Sequence, residues 1–242
     1  MKTLKGKVIL VTGAGSGIGR TAARLFAAKG AQLVLAGRRL EALVETLPNA
    51  LHFALDHSDE FAVASFAKEC PALDGMFLGA GQLVTGGVES TSIHDFDVMI
   101  QANLRGPWLL CHHLGPRLKK GASVVLVGSN IALRAIPDSA AYSVAKAGVH
   151  MLAQVLALEW APRRIRCNAI APGPVYTAML EARLRKSSDP DGDLTKLSQV
   201  NPLQRLGREE EVASLAAHLL STESAWTTGA VIPIDGGAAA VY

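Results

Sequence analysis

Seven short apolar runs punctuate the chain, at 8–11, 33–36, 51–55, 76–78, 124–127, 166–170 and 231–234, with helix-like segments between them. Runs this short and this continuously apolar read as strands buried on both faces, and the intervals between them are long enough for helical crossovers. The rhythm predicts an α/β fold: a parallel sheet with helices on both faces, doubly wound because such crossovers are right-handed. The 242 residues suffice for one large domain with an ample core, and no repeat or linker divides them, so 1–242 reads as a single domain.

The first run leads directly into Thr12-Gly13-Ala14-Gly15-Ser16-Gly17-Ile18-Gly19, which opens a helix. Such a turn lets backbone approach a pyrophosphate, and the helix start aims free N–H groups and its dipole at the negative charge. Further on, Ala141-Tyr142-Ser143-Val144-Ala145-Lys146 begins a helix predicted over 141–160. A spacing of four puts Tyr142 and Lys146 on one helix face, where an ammonium favours the phenolate and makes the phenol a candidate proton donor and acceptor. Ser129 lies thirteen residues before Tyr142, just past the run 124–127 and Gly128, and Asn103 sits in Ala102-Asn103-Leu104-Arg105-Gly106.

The glycine-rich turn, Asn103, Ser129 and the Tyr142/Lys146 pair, in this order and at these separations, resemble the short-chain dehydrogenase/reductase family. The resemblance covers nearly the whole chain, since Asn168-Ala169-Ile170-Ala171-Pro172-Gly173-Pro174 and Ile234-Asp235-Gly236-Gly237 also look like family signatures. It implies a seven-stranded Rossmann fold with strand order 3-2-1-4-5-6-7. It also implies a nicotinamide cofactor held by Gly13, Ser16, Gly17, Ile18 and Gly19, with Asp56 accepting from the adenine amino group. The alternative for Asp56 is a cap on the next helix. Leu78-Gly79-Ala80-Gly81 stands where the family has Asn-Asn-Ala-Gly, so Ala80 and Gly81 keep the turn while both asparagines are gone. Pro172, Gly173, Val175 and Thr177 would face the nicotinamide, and Tyr142 and Lys146 would also meet the cofactor.

Gly37 occupies the place where an NAD-dependent relative carries an acid for the ribose hydroxyls, and Arg38 and Arg39 follow it at the start of a helix over 40–47. Cations are disfavoured there by the helix dipole unless they share an anion, and the 2′-phosphate of NADP is that anion. The expected cofactor is therefore NADP(H) in preference to NAD(H), with Glu41 the nearest acid one turn into the helix.

In the chemistry the resemblance implies, Tyr142 protonates the carbonyl oxygen, Ser129 polarises it, and Lys146 lowers the Tyr142 pKa. Asn103 would hold a relay water, and it also reads as an interior helix Asn bonded to backbone, the two roles not being exclusive. Gln82, Ile131 and Tyr176 are the expected substrate contacts, within a mainly apolar wall that adds Leu83, Val84, Ala132, Ile136, Met179 and Leu180. Arg134 reads either as a recognition group for an acidic substrate or as a solvated loop residue. The polar stretch 186–193 reads as a long loop, in this family a lid over the substrate, spanning about 177–200.

A net charge of +3 with scattered basic residues and 5% aromatics lacks the footprint of a nucleic-acid binder. Cys70, Cys111 and Cys167 are odd in number and far apart, which argues for a reducing compartment. The first apolar run is too short for a signal peptide and no apolar stretch reaches membrane-spanning length, so the cytoplasm is expected. Cys111-His112-His113 diverge around a helix, so no metal is expected. The helix 141–160 is apolar round most of its circumference, which calls for a sandwiched position or a symmetry mate, and the resemblance favours a homotetramer through it and a helix over 96–114. The expected activity is an NADP(H)-dependent oxidoreductase acting on a small-molecule carbonyl or alcohol. The alternatives are a 3-oxoacyl-carrier-protein reductase, with Lys119, Lys120, Arg163 and Arg164 as docking charge, and a non-catalytic cofactor-sensing protein.

Overall fold

The structure, a computed structural model, describes residues 3–185 and 187–240; Lys186, in the polar stretch, lies outside the described residues. Its strands are β1 (Val8–Thr12), β2 (Gln32–Gly37), β3 (Leu51–Ala54), β4 (Leu73–Leu78), β5 (Leu118–Val127), β6 (Arg166–Pro172) and β7 (Val231–Ile234). They form one parallel sheet in the order β3-β2-β1-β4-β5-β6-β7, the order and the doubly wound Rossmann architecture expected.

Successive side chains of a strand point to opposite faces, and both faces here are apolar. Leu10, Met76, Val124, Leu126 and Cys167 pack under α3 (Glu60–Glu69), α5 (Gly106–Leu114) and α6 (Ala140–Glu159). Ile9, Val11, Phe77, Val125 and Ile170 pack under α1 (Gly17–Ala28), α2 (Leu40–Thr46) and α9 (Glu209–Leu220). The chain leaves β1 toward β2 on one side and returns to β4 on the other, so a crevice opens at the carboxyl ends of these two strands, where a doubly wound sheet binds ligands.

Three segments differ from the sequence reading. The helix expected over 96–114 is interrupted: α4 (Ile93–Ile100) passes through a wide π turn, Gln101–Arg105, into α5. Asn103 is fully buried there, and its amide Nδ2 donates to the Met99 carbonyl at 3.1 Å, a side chain supplying a donor to the opened turn. The polar stretch is largely helical, because Asp189 caps the Gly192 N–H and Pro190 takes the first position of α8 (Pro190–Gln199), which follows α7 (Ala178–Leu184). Finally, α6 is 20 residues long and apolar enough to cross a membrane by length and composition, contrary to the expectation; half of that window is buried within the fold.

Candidate active site

Turns at the carboxyl ends of β1, β4, β5 and β6 meet around one cavity of about 320 Å³. Gly13 turns the chain out of β1 at φ 68°, and a Cβ there would stand 2.9 Å from the Ala80 Cα, so the β1 and β4 turns touch through backbone. Ser16 caps α1 in extended conformation, yet its side chain makes no capping bond, and no acid lies in the first turn of the helix. The first-turn N–H groups of α1 are thus offered to an anion. Gly13, Ser16, Gly17, Ile18, Gly19, Ala80, Gly81, Pro172, Gly173, Val175 and Thr177 all line this cavity. It continues past Gly13, Ser16 and Ala80 into a groove lined by Arg38, Arg39, Asp56 and His57. This donor set and the close backbone turn suit a dinucleotide with its pyrophosphate at α1.

The chemical groups stand on the other side of the cavity. Tyr142 projects from the first turn of α6 and shares a side-chain hydrogen bond with Ser129, which follows β5. Lys146, one turn on, is 4% exposed; its Nζ donates to the Val127 carbonyl at 2.8 Å and lies 5.6 Å from the centre of the Tyr142 ring. Asn103 accepts from the Gln82 N–H through Oδ1 at 3.2 Å and donates to the Gln82 carbonyl at 3.0 Å, pinning the β4 turn. Burial pushes the Tyr142 phenol up to about 12, and the Ser129 hydrogen bond offsets only part of this. Burial brings the Lys146 ammonium down to about 8. The net direction for Tyr142 is therefore opposite to the expected one. Desolvation disfavours its phenolate, and it also weakens the cation that was to favour that phenolate.

The chain that carries Asn103, Ser129, Tyr142 and Lys146 beside its glycine-rich β1–α1 turn is similar over nearly its whole length to known proteins. A family model described as Enoyl-(Acyl carrier protein) reductase matches residues 13–239. Levodione reductase of Leifsonia aquatica is 35% identical over 255 residues, covering 98% of this chain and 95% of that protein. The chain belongs to the short-chain dehydrogenase/reductase family. An uncharacterized oxidoreductase of Thermotoga maritima is likewise 35% identical over 248 residues, covering 98% of this chain and 99% of its own. A crystal structure of a short-chain dehydrogenase family protein from Francisella tularensis superposes with a TM-score of 0.92 at 28% identity, covering 97% of this chain and 99% of that one. The chain is thus an oxidoreductase of the kind that acts on CH–OH and C=O groups with NAD(P)(H).

Within this short-chain dehydrogenase/reductase site some expected residues take other positions. Gln82 and Ile131 line the cavity, whereas Tyr176 does not: it is half-exposed, and its hydroxyl is bonded to Glu181. Arg134 is likewise away from the cavity and donates to the Ala238 carbonyl at 3.1 Å. Asp56 is not a helix cap. Asp59 caps α3, while Asp56 accepts from the Ser58 hydroxyl and N–H at 2.6 and 2.9 Å, and these bonds, the hydroxyl's first, hold its carboxyl below the usual carboxylate range. Of the basic residues considered for carrier docking, Arg163 donates to the Gly115 and Leu118 carbonyls and Lys119 pairs with Asp74. All four precede or open β5 and β6, at the end of the sheet away from the cavity.

Two histidines that the sequence did not single out also help build the site. His57 donates to or accepts nothing from the cavity centre; its Nε2 meets the Ala102 carbonyl at 2.8 Å, and the ring packs so closely on Gly106 that a Cβ there would overlap it. His150 lies one turn beyond Lys146 on α6, 6% exposed, with its Nε2 accepting the Ser129 N–H at 3.4 Å and its ring against Gly128. Burial, helped by the Lys146 charge, pushes it down to about 4, which keeps it neutral and able to accept. The signal available in the sequence was spacing alone: 142, 146 and 150 share one helix face.

Proposed function

We propose that the chain is an NADP(H)-dependent oxidoreductase interconverting a ketone or aldehyde with its alcohol, with Tyr142 as general acid and base. The observation that carries this reading is the Tyr142–Ser129 hydrogen bond, beside the buried Lys146, in a cavity that runs into the β1–α1 turn. A bound nicotinamide supplies the hydride. The two hydroxyls converge on one place, so a carbonyl oxygen there takes a hydrogen bond from each. Tyr142 gives its proton to that oxygen in reduction and recovers it in oxidation; with its phenol at about 12 it holds the proton at neutral pH. Lys146 is the cation that steadies the phenolate once the proton has left. Asn103 has its side-chain amide engaged by Gln82 and Met99, which leaves its backbone as the group for a relay water.

Arg38 and Arg39, both exposed beside the groove and with no acid at Gly37, support NADP(H) over NAD(H). Exposed Val144, Met151 and Leu158 on α6, with Trp108 on α5, form an apolar surface that supports a homotetramer. Three buried free cysteines support a cytoplasmic location. The levodione reductase relative supports a small carbonyl substrate. The test is Tyr142→Phe: turnover should fall by a factor of about 10² to 10⁴, while cofactor affinity stays within a few-fold. Retention of full activity would remove Tyr142 from the chemistry.

A further inference from the structure

The substrate end of the cavity is apolar, formed by Leu83, Ile131, Ile136, Met179 and Leu180, yet one charged side chain stands among them. Arg183 lies on α7 one turn beyond Met179 and Leu180, so the same face of this helix presents all three to the cavity. Among the described residues the cavity is lined by two cations, Lys146 and Arg183, and by no aspartate or glutamate. Lys146 is engaged with the Val127 carbonyl. Arg183 makes no hydrogen bond or ion pair among the described residues, unlike its neighbour Arg185, which pairs with Glu181 at 3.8 Å. Asp193 lies within reach of the Arg183 charge, which helps hold its carboxyl down, but its direct contacts are the Ser187 hydroxyl at 2.7 Å and Lys196 at 3.7 Å. A cavity with cations and no acids attracts anions, and a guanidinium offers a planar fork that matches a carboxylate.

We infer that Arg183 recognises a carboxylate on the substrate, so that the enzyme takes apolar carbonyl compounds carrying an acidic group away from the reacting carbon. This rests on the oxidoreductase reading and adds to it a substrate class. The arginine is exposed, so its bond to a carboxylate is partly screened and gives roughly tenfold discrimination.

The test compares 4-oxocyclohexane-1-carboxylate with its amide as substrates of the full-length protein and of Arg183→Gln, under saturating NADPH and, in parallel, NADH. The wild type should favour the acid in kcat/KM by about tenfold, and the variant should bring the ratio to about one with cofactor affinity within twofold. Calorimetric binding of cyclohexanecarboxylate against cyclohexanecarboxamide to the cofactor-loaded protein reads the same preference without turnover. No preference in the wild type, or a preference that survives in the variant, overturns the inference. So does a matching loss of cofactor affinity, which would give Arg183 to a cofactor phosphate. Failure of the oxidoreductase reading looks different: neither ketone turns over, while the calorimetric preference persists.

Discussion

Replacing Gly128 with alanine asks whether His150 holds the turn that carries Ser129. The added methyl would stand 2.1 Å from the His150 Nε2 and 2.4 Å from its Cδ2, well inside contact distance, and the ring is buried with no slack. Gly128 does not occupy the left-handed region, so alanine brings no backbone strain, and stiffening of the unfolded chain returns about 0.4–1 kcal/mol. Overpacking costs about 1–3 kcal/mol. Displacing the ring also forfeits its bond to the Ser129 N–H, about 1 kcal/mol more. The net expectation is a loss of about 1–3.5 kcal/mol, accompanied by at least a roughly tenfold fall in kcat, because Ser129 is the next residue. In the double variant with His150→Ala the collision partner is gone, so the two costs should fall short of their sum by at least about 1 kcal/mol. Urea unfolding at one fixed protein concentration reads the stability, and steady-state kinetics with a ketone panel reads kcat. A wild-type urea midpoint for Gly128→Ala, or strict additivity in the double variant, would refute the argument.

Lys146→Met should abolish turnover yet stabilise the free protein at pH 7 by about 1–2 kcal/mol. Burial brings the folded lysine down to about 8 from its ordinary 10.5, so the unfolded chain binds its proton more readily and stability rises with pH through that window; the advantage of the methionine should vanish above about pH 10. Arg38→Ser/Arg39→Ser should weaken NADPH binding by roughly 10- to 100-fold and leave NADH within about threefold, read by fluorescence titration; equal losses for both would mean the arginines are surface charge. Glu211 is held down to about 2, chiefly by the Arg205 guanidinium and then by the Arg208 N–H, so its contribution is present above the unfolded value of 4.5 and disappears as pH falls toward 2. Glu211→Gln should therefore flatten the decline of Tm between pH 5 and 3, and an unchanged slope would assign the acid sensitivity to other carboxylates.

The strands were legible because a sheet buried on both faces writes continuous apolar runs, their order because the motifs resemble a known family, and α6 because its two chemical residues stand one helical turn apart. What escaped the sequence depended on distances along the chain that no period records. Pocket membership could not be read for Tyr176 and Arg134: Tyr176 stands between the cavity residues Val175 and Thr177, and Arg134 between Ile131 and Ile136, but Glu181 and the Ala238 carbonyl draw them elsewhere. Arg183 and His150 were passed over because nothing local distinguishes them; each matters only through what the fold sets opposite it. The polarity of 186–193 suggested a loop, yet Asp189 and Pro190 together are a helix start, a signal of capping rather than of hydrophobicity. The direction of the Tyr142 shift was hidden for a different reason, since a pair of residues in a sequence shows charge but not the solvent excluded around it.

The wide turn at Gln101–Arg105 fixes a count. A π turn closes over one residue more than an α turn, so each residue of α5 sits about 100° behind the angle at which an unbroken continuation of α4 would place it. That rotation selects which side chains of α5 meet the sheet: Leu109, Leu110, Cys111 and Leu114 are buried and Trp108 is turned outward. A regular helix built from the full residue count would swing that apolar stripe off the core, whereas one residue fewer between 101 and 105, with the turn closed in the ordinary way, would keep it there. The wide turn is thus where the chain stores one residue more than the register of α5 against the sheet requires.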